Sequence, residues 1–226
     1  MSSLLIAELA RAARRGRLWG IIVRNAIPVA GVYLLGWPAA LALFFYLLEI
    51  WLYLSFRASL SLALDDAGNS PALRAVLGSA ARHFLLVAPL LGAVLGGIAW
   101  FAVRMMADGW SSIKLGVHRW DFAAGIIVLA AMAFAEAWRY LRLRVAGERL
   151  AEDDLREMAI VYRTVFLMMA AVSIYFLVPP GYDAQLLVAA VAAASVWIEG
   201  APRHAMRAFG APRRTRRQIL RRMRNA

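Results

Sequence analysis

The chain has 226 residues, of which 62% are hydrophobic and 18% are charged, and its net charge is +12. Soluble domains are only about half apolar, so this composition excludes an ordinary soluble globular domain and indicates a multi-pass membrane protein. Cysteine is absent, which excludes disulfides and thiolate metal sites.

The hydrophobic residues occur in continuous blocks, which predict spanning helices rather than the alternating strands of a barrel. The sequence therefore predicts an all-α polytopic membrane protein with six transmembrane helices in three hairpins. We expect residues 1–202 to form a single membrane domain and residues 203–226 to form a basic cytoplasmic tail that contains a helix. The predicted spans cover residues 18–37, 38–64, 83–105, 120–144, 158–178 and 184–199.

Three further segments lie between or before the spans. Residues 2–16 predict an amphipathic helix at the membrane surface, and residues 71–82 predict a second, short interfacial helix. Residues 107–118 are polar and rich in turn residues, so we expect a loop there. The apolar side expected for the N-terminal helix consists of Leu5, Ile6, Leu9 and Ala13.

The distribution of basic residues predicts the topology. With six spans and both termini on one side, 22 of the 26 lysines and arginines fall on that side and 3 on the other. Cytoplasmic loops carry such an excess of positive charge, so we expect both termini in the cytoplasm. On a soluble protein this charge would indicate nucleic acid, but beside membrane spans it indicates topology and anionic lipid, and no nucleic acid is expected.

The first two predicted spans carry two charges deep inside apolar sequence. Arg24 lies thirteen residues before Trp37, and Glu49 lies twelve residues after it, so a helical hairpin would hold them at similar depth. A bare charge at the centre of a membrane helix costs about 2.5–3.5 kcal/mol, which predicts an Arg24–Glu49 ion pair supported by Asn25 and Tyr46. Two interpretations stay open: a pair that fixes helix packing, and a polar site for an ion, a proton or a ligand headgroup.

Other titratable residues favour simpler roles. Glu136 precedes Arg139 by three positions and Glu199 precedes Arg203 by four, so we expect local ion pairs on each helix. The three histidines do not cluster, and no catalytic or nucleotide-binding motif is present, so we expect no cofactor and no metal, and enzymatic activity is disfavoured. The acidic and amide residues after the second span are typical of a turn: Asp65, Asp66 and Asn69.

The C-terminal tail is the most basic part of the chain, with nine arginines after residue 202. Each arginine near an anionic surface contributes about 1 kcal/mol to membrane binding. We therefore expect the tail to bind anionic lipid through Arg213, Arg214, Arg216, Arg217, Arg221 and Arg222. Alanine-rich and glycine-rich helix faces predict further helix packing, and hence a homo-oligomer.

Three short motifs in the first hairpin carry a family resemblance: Asn25-x-x-Pro28, Gly36-Trp37 and Tyr46-x-x-Glu49. On these motifs the chain resembles a bacterial multi-pass membrane family, domain of unknown function 6498, mainly over residues 20–60. The resemblance implies an integral protein of the bacterial inner membrane and adds no activity. It places Asn25, Trp37 and Glu49 among the first positions to test.

Three functions remain open from the sequence. The leading hypothesis is a small channel or transporter for an ion or small polar solute that uses Arg24, Asn25 and Glu49. The second is a structural or accessory membrane protein that binds anionic lipid or a partner through its tail. The third is an enzyme acting on a lipid headgroup at the inner leaflet.

Overall fold

The computed structural model describes residues 2–14, 17–67, 73–104, 109–145, 159–167, 169–170, 173 and 182–208. Every regular element within these ranges is an α-helix, which confirms the all-α prediction. In chain order the helices are α1 (Ser2–Arg14), α2 (Arg17–Leu35), α3 (Ala39–Ala67), α4 (Leu73–Arg104), α5 (Gly109–Gly116), α6 (Trp120–Val145), α7 (residues 159–167), α8 (Asp183–Gly200) and α9 (Pro202–Ala208).

Four of these helices are long and apolar enough to cross a membrane, in agreement with the predicted membrane class. They cover Leu18–Leu35, Ala39–Ala67, Leu73–Gly97 and Trp120–Val145. The predicted sixth span corresponds to a shorter apolar helix, Gln185–Gly200. The predicted fifth span lies partly outside the described residues, and its described part, including α7, is helical.

The chain groups into two compact units. The first consists of Met1–Ala42 together with Arg149–Ala226, and the second consists of Leu43–Glu148. Within the first unit α2 packs against α8, α1 packs against both, and α9 packs against α8. The expected single domain over residues 1–202 stays a prediction.

The turn between α2 and α3 lies at the predicted position, residues 36–38. Gly36 has a φ of +68°, a left-handed conformation that favours glycine. The amide of Trp37 then donates to the Gly31 carbonyl at 2.8 Å, and its indole covers Gly31 so closely that a Cβ there would lie 2.3 Å from a ring carbon. Pro38 accepts hydrogen bonds from Leu41 and Ala42, which begins α3.

In the second unit, α4 corrects the prediction of a separate surface helix at residues 71–82. That segment and the third span form one continuous helix, Leu73–Arg104. No proline interrupts the sequence between residues 73 and 88, so the helix continues. Asp66 at the end of α3 accepts from Ser79 at 3.2 Å and pairs with His83 at 2.7 Å, which fixes this part of α4 beside α3.

The middle parts of α3 and α4 meet at a tryptophan. The Trp51 indole N–H donates to the Ala88 carbonyl at 2.8 Å. A Cβ at Gly92 would lie 3.3 Å from the same indole nitrogen, so the small residue allows the close approach. Towards the ends of the helices, α3, α4 and α6 share an apolar core of Leu60, Ala63, Val76, Ala80, Tyr140 and Leu141.

The expected loop at residues 107–118 is also corrected, because it contains the helix α5, Gly109–Gly116. Ile113 is buried and Leu115 is 76% exposed, so the short helix has one packed side. It packs against α4, and Lys114 in its last turn complements the helix dipole.

A band of large apolar side chains on α4 is exposed. Leu85 and Leu86 are each 73% exposed, Leu90 is 68% exposed and Val94 is 57% exposed. A contiguous apolar face of this kind is unusual on a soluble protein and is what a lipid-facing helix presents.

In the first unit, one apolar residue of the expected side of α1, Ile6, is exposed, and another, Leu9, lies against Gly200 of α8. Ile6 is 65% exposed, whereas Glu8 and Ala12 are buried. The Glu8 carboxylate accepts from the backbone N–H of His204 at 3.1 Å, in the first turn of α9, because Ala201 before that helix has no side-chain acceptor of its own. This hydrogen bond joins α1 to α9 between residues that are 196 positions apart in the chain.

Candidate functional site

The first unit contains a buried cluster of three charged residues from three helices. Arg24 of α2 places its Nη2 at 2.5 Å from both carboxylate oxygens of Glu199 in α8. Arg163 of α7 places its Nη1 at 2.6 Å from Glu199 Oε1. We call Arg24, Arg163 and Glu199 the charged triad.

Two sets of contacts bring these helices together. The helices α2 and α8 are antiparallel, since Arg24 meets Glu199 at one end and the Tyr33 hydroxyl donates to the Gln185 carbonyl at the other. The helix α7 meets α8 through small residues, because Ala159 packs with Ala194 and Ile198. Small side chains at this seam let the backbones approach and bring the two arginines within reach of one carboxylate.

The triad is largely buried within the part of the chain that the structure describes. Arg163 and Glu199 are each 2% exposed, and the side chain of Arg24 is 12% exposed. Burying a charge is costly unless it is paired and hydrogen-bonded, and here both guanidinium groups are hydrogen-bonded to the one carboxylate. Removing one member of such a cluster leaves the others buried without that compensation.

Asn25 adds a second polar group next to Arg24. It is 3% exposed, and its Nδ2 donates to the Ile21 carbonyl one turn earlier at 2.8 Å. Its Oδ1 has no hydrogen-bond partner among the described residues. Pro28, one turn later in α2, has no N–H to donate to the Arg24 carbonyl, so the backbone here is also locally altered.

The structure corrects the expected local pair between Glu199 and Arg203. The helix α8 ends at Gly200, and Ala201 leaves helical geometry with φ −131° and ψ 61°. Arg203 therefore belongs to α9 and lies 3.8 Å from Glu8 instead. The Glu199 carboxylate is consequently directed to α2 and α7 rather than along its own helix.

Of the predicted pathway residues, Asn25, Tyr46 and Glu49 are buried and Arg24 is half-buried. Arg24 and Asn25 belong to the first unit, whereas Tyr46, which is fully buried, and Glu49, which is 5% exposed, belong to the second. The Arg24–Glu49 pair stays a prediction. The six arginines expected to bind lipid, residues 213–222, lie outside the described residues.

Sequence reasoning missed Arg163 as a site residue, because it counted this arginine among the charges that set topology. The signal was present: Arg163 lies five positions inside the predicted fifth span, where a charge requires a partner as Arg24 does. Glu199 was placed at the inner end of the predicted sixth span in a local ion pair with Arg203, whereas its partners are Arg24 and Arg163.

Comparison of the chain with family models, with curated proteins and with solved structures finds no match. The resemblance to domain of unknown function 6498 therefore stays a prediction.

Proposed function

We propose that this chain is a small membrane channel or transporter for an ion or small polar solute, and that the charged triad lies on the pathway. The observation that carries the proposal is the position of Glu199, a carboxylate in an apolar helix held between Arg24 and Arg163. Ionisable residues within membrane spans are expensive, and they commonly mark substrate or ion pathways.

The adjacent polar group supports a pathway rather than a purely structural pair. A cluster that serves only to pack helices is best built with every buried polar atom satisfied, because an unsatisfied one costs about 1–3 kcal/mol. Asn25 retains a buried oxygen with no partner among the described residues, directly beside Arg24. An incompletely satisfied polar site is what a transient ligand requires.

The proposal includes a topology and a location. We place the chain in the bacterial inner membrane with six spans and both termini in the cytoplasm, as the charge bias favours. We also propose that the chain forms a homo-oligomer and that its arginine-rich tail binds anionic lipid. Cysteine scanning from either side of the membrane would test the topology, and it suits a chain without native cysteines.

The proposed transport is tested with purified protein in liposomes. Proton flux is read with pyranine, chloride flux with lucigenin, and potassium flux by the dissipation of a potassium diffusion potential. We expect flux of at least one of these ions with the native chain and loss of that flux with Glu199→Gln. Asp65→Asn, which removes an exposed carboxylate at the end of α3, is the matched control and is expected to retain the flux.

No flux of any of the three ions with correctly assembled protein would contradict the proposal for ions. Retained flux in Glu199→Gln would contradict the assignment of the triad to the pathway.

A second function, a structural or accessory membrane protein, is favoured by one specific observation. Both oxygens of Glu199 are engaged by guanidinium groups from two other helices, an arrangement that can fix α2, α7 and α8 together without any ligand. This function predicts that the native chain carries no flux, whereas a lower amount of assembled Glu199→Gln is expected with either function, because the substitution removes the partner of two buried arginines.

A further inference from the structure

The face of α8 that carries Glu199 contains a second unsatisfied group. Ser195 lies one turn before Glu199, so the two side chains are neighbours on the helix surface. Ser195 is fully buried, and its Oγ has no hydrogen-bond partner among the described residues. The hydroxyl is therefore an unsatisfied polar atom within reach of the triad.

Asn25 of α2 has the same property. It follows Arg24 in α2, it is 3% exposed, and within the described residues its Oδ1 accepts no hydrogen bond. The two helices that supply Arg24 and Glu199 thus each carry a buried oxygen without a partner among the described residues. Native proteins rarely leave such atoms unsatisfied, and ordered water is the usual partner where none is supplied by the chain.

We propose that water molecules occupy the positions next to Ser195 Oγ and Asn25 Oδ1 and make the charged triad a hydrated site. This inference deepens the proposed function, on which it rests for its role in transport, because it assigns the buried cluster to a water-accessible pathway.

The chemistry of the two atoms selects water over other small ligands. The amide Oδ1 only accepts hydrogen bonds, so its partner must be a donor, which excludes a simple anion at that atom. The two guanidinium groups of the triad disfavour a metal cation in the same place. Water donates to Asn25, and at Ser195 it can both accept from the hydroxyl and donate to the Glu199 carboxylate.

The absence of cysteine from the chain permits a sharp test. X-ray radiolysis of bound water generates hydroxyl radicals in place, and a neighbouring thiol is oxidised without any reagent having to enter the protein. The probe variant is Ser195→Cys, which is nearly isosteric. The control is Ala194→Cys at the adjacent buried position, which packs in the apolar cluster with Ala159, Ile198 and Ala205.

We expect the thiol of Ser195→Cys to be oxidised about tenfold faster than that of Ala194→Cys, as for a sulfur beside ordered water rather than in a dry apolar core. Peptide mass spectrometry of the purified protein in lipid nanodiscs gives both rates. Equal rates for the two thiols would overturn the inference.

A second variant keeps the test informative if the thiol disturbs folding. Ser195→Ala removes the hydroxyl, and if water binds there, we expect an unchanged or lower melting temperature. A raised melting temperature would mean that the native hydroxyl is dry and unsatisfied, and would overturn the inference.

The radiolysis and flux results separate the two proposals. Fast oxidation of the Ser195→Cys thiol without flux in the native chain would support hydration and contradict transport. Flux in the native chain with equal oxidation of both thiols would support transport and contradict hydration.

Discussion

Arg24 and Glu199 are separated by 175 positions in the chain, yet one guanidinium nitrogen lies 2.5 Å from both carboxylate oxygens. The contact joins the first long helix to the last one, and Arg163 adds a third helix. The charged triad is therefore both a tertiary constraint on the first unit and the polar centre of the proposed site.

The constraint predicts a large loss of stability when the carboxylate is removed. Glu199→Gln leaves two buried guanidinium groups without their carboxylate, and we expect the free energy of unfolding to fall by about 3–5 kcal/mol. Denaturant unfolding in detergent, followed by tryptophan fluorescence, measures this change. The matched control Asp65→Asn changes an exposed carboxylate and is expected to alter stability by less than about 0.5 kcal/mol. Similar losses in the two variants would contradict the role given to the triad.

The packing of Trp37 against α2 predicts that alanine substitutions at two glycines of this helix have opposite effects on stability. Gly31→Ala would place a methyl group 2.3 Å from a ring carbon of Trp37, which is only 2% exposed. We expect it to lower stability by about 1–3 kcal/mol, because the ring has to move from a packed position.

The control for that substitution is Gly20→Ala, where a Cβ meets nothing within 4 Å. This change should raise stability by up to about 1 kcal/mol through helix propensity. Thermal unfolding of both variants checks the contrast, and equal effects of the two alanines would disprove the proposed packing of Trp37 on Gly31.

Two substitutions of Tyr140 in the second unit separate the contribution of its ring to stability from that of its hydroxyl. The Arg57 guanidinium carbon lies 3.3 Å from the ring centroid of Tyr140, and that of Arg144 lies 5.7 Å away. Tyr140→Leu removes the cation–π contacts and should cost about 1 kcal/mol or more. Tyr140→Phe loses only a 3.4 Å contact with the Ser61 hydroxyl and should be close to neutral. Melting temperatures check this order, and a larger loss in the phenylalanine variant would refute it.

The link between α1 and α9 predicts a change in proteolysis. Glu8→Ala removes the acceptor for the His204 amide and the carboxylate beside Arg203, so the start of α9 should open more often. We expect faster tryptic cleavage after Arg203 in that variant. Glu8→Gln retains an acceptor oxygen and should be cleaved at a rate between those of the native chain and the alanine variant. Equal cleavage rates in all three proteins would show that this contact does not hold α9.

The sequence was sufficient for features that depend on local pattern. Apolar runs of spanning length gave the four long helices, and Gly36 with Pro38 marked the turn between α2 and α3. Intramembrane charge also identified Arg24 as a residue that needs a buried partner, because the cost of a bare charge follows from hydropathy alone.

Features that depend on distant residues were not predictable in the same way. The choice of Glu199 as a partner for Arg24 requires knowing that α2 packs against α8 and that α8 ends at Gly200. Local spacing favoured Arg203 as the partner of Glu199, although Gly200 and Pro202 on either side of Ala201 mark the end of a helix there. The continuous helix α4 was divided wrongly, since amphipathic sequence before an apolar run is compatible with either one helix or two.

The most direct test of the central claim is a cryo-electron microscopy map of the chain in lipid nanodiscs, at a resolution that shows ordered water. We predict that the Glu199 carboxylate lies within hydrogen-bonding distance of the guanidinium groups of Arg24 and Arg163, with water peaks at Ser195 Oγ and Asn25 Oδ1. A Glu199 side chain directed away from both arginines, or a dry interior around Ser195 and Asn25, would contradict the account.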